Sequence, residues 1–310
     1  MILTITLNPA LDKSVSVQKL IPDKKLRCDE IAVEAGGGGI NISKAIKRLG
    51  GKSVALFPSG GANGKQLEDL LIKEGIDIKV IAIDGETRAG FAVTDLSTDS
   101  QYRFVAPGPF MTEDVLETCL KEVENFKPAP DTVIFSGSLP PGLSPNVAAK
   151  FAAVCSRIGA RFIADTSGEC LKLALNEGIY LLKPNLSELS FLVGKDRLEL
   201  FEVEDAAKSI IENGNSEVIV VSMGPSGALL LTKDLCKRIP SPNVKKVSTI
   251  GAGDSMVAGM ALMLSEGKPI LEVVQFGVAC GTATIMTEGS QLFKKEDVMK
   301  LFEWIKLHDA

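Results

Sequence analysis

Short apolar runs alternate with helix-period segments along most of this chain, and that alternation restricts the fold more than any other feature. The runs Ile2–Leu7, Ser53–Phe57, Thr132–Ser136, Arg161–Asp165, Tyr180–Leu182, Val218–Ser222 and Ala228–Leu231 predict strands. Apolar residues recur at helical spacing over Ile40–Leu49, Gly64–Glu74, Thr112–Asn125, Asn146–Arg157 and Val203–Asn213. Strand and helix in turn build a mostly parallel sheet covered on both faces, an α/β fold whose ligands sit at the carboxyl ends of the strands. With 310 residues, 45% of them hydrophobic, the chain can bury one large core, so a single domain over 1–310 is expected.

Two stretches break the rhythm. Residues 14–34, around Ser14-Val-Ser-Val-Gln18 and Ile31-Ala-Val-Glu34, and residues 89–105, around Gly90-Phe-Ala-Val-Thr94 and Gln101-Tyr-Arg-Phe-Val105, alternate as strands with no helix between them. They predict a small separate sheet, formed by approximately 12–35 and 88–107, that can act as a lid over a ligand cleft. Its uncovered edge and face need burial, for which a second copy of the chain is one solution.

The formal charge of −5 argues against general nucleic-acid binding. No window reaches the roughly 18 uninterrupted apolar residues of a membrane span, and Met1 runs straight into a strand-like segment, so a cytoplasmic protein is expected. The six cysteines at 28, 119, 155, 170, 236 and 280 contain no C-x-x-C pair, which indicates neither a zinc site nor a disulfide framework. His308 is the only histidine and lies two residues from the end, which removes histidine-based triads from consideration.

Two glycine-rich elements carry the chemistry. In Ser248-Thr-Ile-Gly-Ala-Gly-Asp-Ser255 the glycines precede or open a helix, continued by the apolar run 256–265. The first N–H groups of a helix lack intrahelical partners and favour anions, and glycine lets the backbone approach a phosphate. Asp254 would repel that phosphate, so another task must keep it there; accepting a proton from an attacking hydroxyl is such a task, whereas simple helix capping is the plainer one. The second element is Ala35-Gly-Gly-Gly-Gly39-Ile-Asn41, before a helix with Ile42, Ile46 and Leu49 on one face. It lacks the last glycine of G-x-G-x-x-G, since Asn41 stands there, and Gly60-Gly-Ala-Asn-Gly64-Lys65-Gln66 has neither the spacing nor the Ser or Thr of a P-loop. Close backbone approach to a ligand, with Asn41 as a polar contact, accounts for four successive glycines; a flexible turn is the alternative.

These residues carry a resemblance. From Thr6-Leu-Asn-Pro-Ala-Leu-Asp12 to the carboxy-terminal helices, the chain resembles the ribokinase-like sugar kinase family in its phosphofructokinase-B branch. Gly36-Gly-Gly-Gly-Ile-Asn41, Ser136-Gly-Ser-Leu-Pro-Pro-Gly142, Lys183-Pro-Asn-Leu-Ser-Glu188, Ser222-Met-Gly-Pro-Ser-Gly227 and Ser248–Ser255 match its motifs in order. The ordered set is specific where any single glycine motif is weak. The resemblance implies a three-layer α/β sandwich with a mostly parallel central sheet, a small inserted β-sheet lid, and phosphoryl transfer from ATP to a sugar hydroxyl. In that reading Asp254 is the base and the amides of Gly251, Ala252 and Gly253 form an anion hole. It further implies nucleotide contacts from Lys183, Asn185, Ser222, Gly224, Gly227 and Ser248, an adenine side near Cys280 and Thr284, and magnesium near Glu188. Asn185 and Glu188 at helical spacing also fit a capped helix with an acidic face. Potassium is implied at backbone oxygens near the anion hole, with Ser248, Ile250, Thr284, Thr287, Gly289 and Gln291 as positional candidates, and a homodimer is implied through the lid.

For the sugar, the resemblance assigns Asp12 to hydroxyl groups and places Gly37, Gly38, Asn41 and Ser138 nearby. Lys25, Arg27, Arg88 and Arg103 lie in or beside the expected lid, where they can converge on a phosphate that the sugar already carries, or serve as ordinary surface charge. Lys25-Leu-Arg-Cys28, the uninterrupted Gly36–Gly39 and Gln101–Gly108 resemble the branch members that phosphorylate fructose 6-phosphate. Kinases for tagatose 6-phosphate or fructose 1-phosphate typically carry Lys where Gly38 stands here, and they form the runner-up reading. A noncatalytic sugar-phosphate sensor is the alternative from another class, disfavoured by the retention of Asp254, Gly251 and Gly253.

Overall fold

The computed structural model describes residues 1–287 and 291–309. In chain order the elements begin β1 (Ile2–Ile5), β2 (Ala10–Val17), β3 (Ala32–Gly36), α1 (Gly38–Leu49), β4 (Ser53–Ser59), α2 (Gly61–Lys73) and β5 (Asp77–Ala82). They continue β6 (Arg88–Asp95), β7 (Ser100–Val105), α3 (Glu113–Glu124), β8 (Thr132–Ser136), α4 (Val147–Ile158), β9 (Arg161–Asp165), α5 (Gly168–Asn176), β10 (Ile179–Leu182) and α6 (Leu186–Leu192). The remainder is α7 (Val203–Glu212), β11 (Ser216–Ser222), β12 (Ala228–Leu231), β13 (Cys236–Ile239), α8 (Ala252–Ser265), α9 (Ile270–Thr284) and α10 (Lys295–His308).

Nine strands form one sheet in the order β13-β12-β11-β10-β9-β8-β1-β4-β5. Seven of them, from β5 to β11, run parallel, while β12 and β13 are antiparallel at one edge. Side chains alternate across the sheet with a period of two, as a strand requires. Leu3, Ile5, Val133, Phe135, Ile219 and Val221 pack into the core beneath α3 to α7, whereas Ile2, Ile134, Ile163, Leu181 and Val220 face α1, α8, α9 and α10. Burying each such side chain contributes roughly 1.5–3 kcal/mol, and both faces do so, which is why the strands read as continuous apolar runs.

The expected small sheet is present as β3-β2-β6-β7. It begins at Ala10 and reaches Gly36, slightly wider than the sequence pattern suggested. The alternation around Ser14–Gln18 and Ile31–Glu34 falls on β2 and β3, and the residues between them, 18–31, form no strand; Pro22-Asp-Lys-Lys25 interrupts the apolar pattern and stays exposed. Leu11, Ala35, Ile40, Phe57, Leu67 and Leu71 form the apolar joint that docks this sheet against α1, α2 and β4.

Chain order reverses at β1. From there the chain builds outward through β4 and β5 on one side and through β8 and β9 on the other. In an open α/β sheet a crevice opens outside the carboxyl ends of strands at such a switch point, and here that crevice lies beyond Ile5 and Ser136.

Candidate active site

Both glycine elements meet at this crevice. Beyond β1, Thr6 Oγ1 accepts the Ile40 N–H at 3.0 Å, tying the first turn of α1 to the strand end. Gly37, the residue before α1, has φ +123°, a conformation side chains resist, and a Cβ on Gly38 would overlap Ser136 Oγ. The glycine run is therefore a tight backbone packing against β1 and β8, not a loose turn. On the opposite side Gly251 caps α8 and places Asp254 in its first turn. Asn41 Nδ2 donates to Asp254 Oδ2 at 2.8 Å, so one hydrogen bond joins the two elements across 213 positions of sequence.

Electrostatics around Asp254 are unusual for a carboxyl. Burial, with help from the neighbouring Asp165 carboxylate, pushes it up to about 7, against the opposing pull of Asn41 and Lys183. Lys183 is itself buried, which disfavours its charge, but Asp165, Glu188 and Asp254 outweigh that and hold the ammonium above its ordinary value. Its Nζ lies 3.2 Å from Asp165 Oδ1, and it sits 3.5 Å from where a Cβ on Gly253 would be, so a fixed positive charge faces the start of α8. Helix amides and this ammonium together suit an anion.

Asn185 caps α6 and Glu188 completes a reciprocal capping box, each pair bonded at 2.9 Å. The plainer reading of those two residues is thus realised. Burial nevertheless raises the Glu188 carboxyl, partly offset by Asn185 and Lys183, and only its Oε2 is engaged by the Asn185 N–H. Its other oxygen fits a hydrated hard cation; among the described residues no group of three or more His, Cys, Asp or Glu forms a cage by itself. For potassium, Thr287 Oγ1 lies 2.8 Å from the Thr284 carbonyl and 2.5 Å from that of Gln291. One hydroxyl proton can serve only one of them, so acceptor lone pairs are in surplus, as a monovalent cation site needs. The Ile250 N–H meets Ser248 Oγ at 3.2 Å nearby, and Gly289 lies outside the described residues.

Two clefts flank the 249–253 turn. The larger, of about 550 Å³, is lined by Ser222, Gly224 and Gly227 on one side and Thr249, Ala252 and Gly253 on the other. Its far wall is Val278, Gly281 and Thr282 of α9, one helical face, and Ile285 just past its end. Cys280 and Thr284 are not on it: the Cys280 side chain is buried against Gly259 of α8, and the Thr284 hydroxyl bonds back to the Cys280 carbonyl. The smaller cleft, of about 240 Å³, lies under the four-stranded sheet and includes Asp12, Gly37, Asn41, Arg88, Arg103 and Ile250. The Asp12 carboxylate fills the space that side chains on Gly36 and Gly90 would need. Burial raises its pKa, and Arg88 and Arg103 pull it back. Arg88, whose own charge burial disfavours, is held by the Asn8 carbonyl at 3.2 and 3.1 Å. Ser138 stands at the β8 exit, bonded by Asn8, whereas Lys25 and Arg27 are exposed and are not among the lining residues.

Sequence reasoning missed Asp165, which neighbours Lys183, Ser136 and Asp254. Its signal was positional: it is the last residue of β9, at the carboxyl edge where ligands of this sheet type gather. Lys246 and Thr282 of the larger cleft gave no such sign.

Known proteins share this architecture. Relatives include the ATP-dependent 6-phosphofructokinase isozyme 2 of Mycobacterium tuberculosis, 41% identical over 97% of this chain and 89% of its own. The protein of the same name from Escherichia coli is 39% identical over 98% of both chains. Bacillus subtilis 1-phosphofructokinase is less similar, at 32% over 99% of both. Crystal structures of E. coli phosphofructokinase-2 in complex with potassium and with fructose-6-phosphate superpose with TM-scores of 0.94 and 0.92, each at 38% identity and covering 98% of this chain and 99% of theirs; a tetrameric inhibited form of that enzyme is also known. The model of the pfkB family carbohydrate kinases matches residues 4–297, and with the shared fold and the glycine elements meeting at Asp254 the chain belongs to that family.

Proposed function

We propose that this chain transfers a phosphoryl group from ATP to fructose 6-phosphate, giving fructose 1,6-bisphosphate and ADP. The observation that carries the reading is the position of Asp254, in the first turn of α8 directly after the 249–253 segment that the two clefts flank, and bonded to Asn41, which lines the smaller one. A sugar in the smaller cleft directs a hydroxyl at Asp254, and ATP in the larger one brings its γ-phosphate to the start of α8. The hydroxyl oxygen attacks phosphorus, its proton passes to Asp254, and the bond to the leaving ADP oxygen breaks. Gly251, Ala252 and Gly253 amides and Lys183 stabilise the charge on the transferring group. Glu188 would hold a hydrated magnesium ion that would further neutralise the phosphates, and the carbonyls of Thr284 and Gln291 beside Thr287 would hold a potassium ion next to the anion-hole turn. Arg88 and Arg103 beside Asp12 suit a sugar that already carries a phosphate, and the higher identity to relatives named 6-phosphofructokinase favours fructose 6-phosphate over fructose 1-phosphate.

The four-stranded sheet is read as a lid, and a homodimer through its exposed edge is part of the proposal. No helix is long and apolar enough to cross a membrane among the described residues, and a cytoplasmic location fits the substrates. ADP release with MgATP, compared across fructose 6-phosphate, fructose 1-phosphate and tagatose 6-phosphate, tests the assignment. The expected outcome is the highest kcat/KM for fructose 6-phosphate, lost in Asp254→Ala. A preference for another phosphosugar overturns the substrate, and no ADP with any of them overturns the kinase reading.

A further inference from the structure

Four segments of the chain meet at Asn8, a residue with no part in the proposed chemistry. It lies on the connection between β1 of the large sheet and β2 of the small one and is 7% exposed. Its side-chain amide donates to Ser138 Oγ at 3.2 Å and to the Leu139 carbonyl at 3.3 Å, both on the segment that follows β8. Its backbone carbonyl accepts Nε and Nη2 of Arg88, the first residue of β6. The remaining Arg88 nitrogen, Nη1, donates at 3.4 Å to the carbonyl of Ala106, just beyond β7. A guanidinium has five N–H donors in a rigid fork, so these bonds fix its plane and leave one hydrogen on each of Nη1 and Nη2 for an anion. The Asn8 Oδ1 atom is buried without a partner, against Gly108, where any Cβ would overlap it.

We infer that Asn8 is a positioning residue for the phosphosugar: it holds the free edge of Arg88 on the small sheet in a fixed relation to Ser138, just beyond β8 of the large one. Nothing else among the described hydrogen bonds joins those two positions through a single residue. Gly108 is part of the same device, because only a hydrogen at its Cα leaves room for the Asn8 carboxamide. The nucleotide cleft is built by other segments, so the effect of Asn8 belongs to the sugar side alone. The inference rests on the reading of the smaller cleft as the phosphosugar site.

The test is steady-state kinetics of Asn8→Ala, Gly108→Ala and the double variant, varying fructose 6-phosphate and ATP separately, with thermal melting alongside. Asn8→Ala is expected to raise the KM for the phosphosugar about tenfold or more while the KM for ATP stays within about twofold. Gly108→Ala, which keeps Asn8 but displaces its side chain, should give the same split. The double variant should be no worse than Asn8→Ala, because both remove one arrangement. Equal changes in both KM values, tracking a loss of melting temperature, would assign Asn8 a merely structural role and overturn the inference. So would independent, multiplying effects of the two substitutions. If the unmodified enzyme shows no preference for a phosphorylated sugar, the reading of the cleft fails, and the inference with it; if that preference holds and the split is absent, the inference alone fails.

Discussion

Asp254 answers two opposing demands. As a base it must lose its proton, yet its surroundings keep the proton on up to about 7. Between about 3.8 and about 7 the folded chain holds a proton that the unfolded chain has lost, so this group makes the fold less stable as pH rises through that window. Asp254→Asn keeps an acceptor for Asn41 but carries no charge. It should lower kcat by about 10²–10⁴-fold and melt at a higher temperature than the unmodified protein at pH 8, the gap closing towards pH 5. Equal melting curves at pH 8 would contradict the burial argument. The same cause predicts a kcat/KM that climbs with pH along a limb centred near 7 and levels off above it; a limb centred near the ordinary carboxyl value would show that the base is not held up. Residues were legible in sequence where a motif named them, as at Asp254 and Asn41, and illegible where only the fold assembles them. Asp165 is such a case: nothing local distinguishes it, and its meaning comes from Lys183, 18 positions on, reaching back to within 3.2 Å.

Helices α8 and α9 show how an element can be expected while its orientation is not. The apolar run behind Asp254 predicts a helix, but both helices are apolar on nearly every side, so periodicity cannot tell which face lines a cleft. The resemblance put Cys280 and Thr284 on the adenine side, whereas the cleft receives Val278, Gly281, Thr282 and Ile285. Cys280 lies instead in the seam between the helices, and burial among apolar neighbours pushes its thiol up. A Cβ on Gly259 would come within 2.6 Å of its Sγ, and one on Gly277 within 2.5 Å of Met260 Cγ, so glycines allow the close approach. In Gly259→Ala, the gain of about 1 kcal/mol in helix propensity opposes an overpacking cost of about 1–3 kcal/mol. Because the sulfur is buried on a short side chain, the cost should win, lowering stability in urea and raising the KM for ATP as α9 shifts. Adding Cys280→Ala removes the sulfur and should restore part of both. A stable Gly259→Ala with an unchanged KM would refute the seam argument.

At the scale of the molecule, the alternation of strand and helix predicts a crevice at the carboxyl edge of a parallel sheet, and the observed strand order puts a switch point at β1. The edge strands β5 and β13 escaped that reading: Asp77-Ile-Lys-Val and Cys236-Lys-Arg-Ile mix polar with apolar residues, and Asp77, Cys236 and Arg238 are exposed at the rim. The small sheet was legible for the opposite reason, since nothing helical interrupts it. Its free edge was legible only as a need for burial, not as particular residues. Its outer strand β7 has all six residues exposed, including Tyr102 at 47% and Phe104 at 60%, and it pairs only on its β6 side. An unpaired edge bearing aromatics invites a second strand, and a symmetric copy of the same sheet can cover both the edge and the rings. Phe104 and Val105 also contribute to the smaller cleft, so covering β7 should tighten the sugar side. Tyr102→Asp alters the same strand at a residue that does not line that cleft. It should convert a dimer into a monomer in light scattering and raise the KM for the phosphosugar several-fold, with the KM for ATP nearly unchanged. A dimer that survives the substitution would place the subunit contact elsewhere, and a monomer with full affinity for the sugar would mean that each small sheet closes its own cleft unaided.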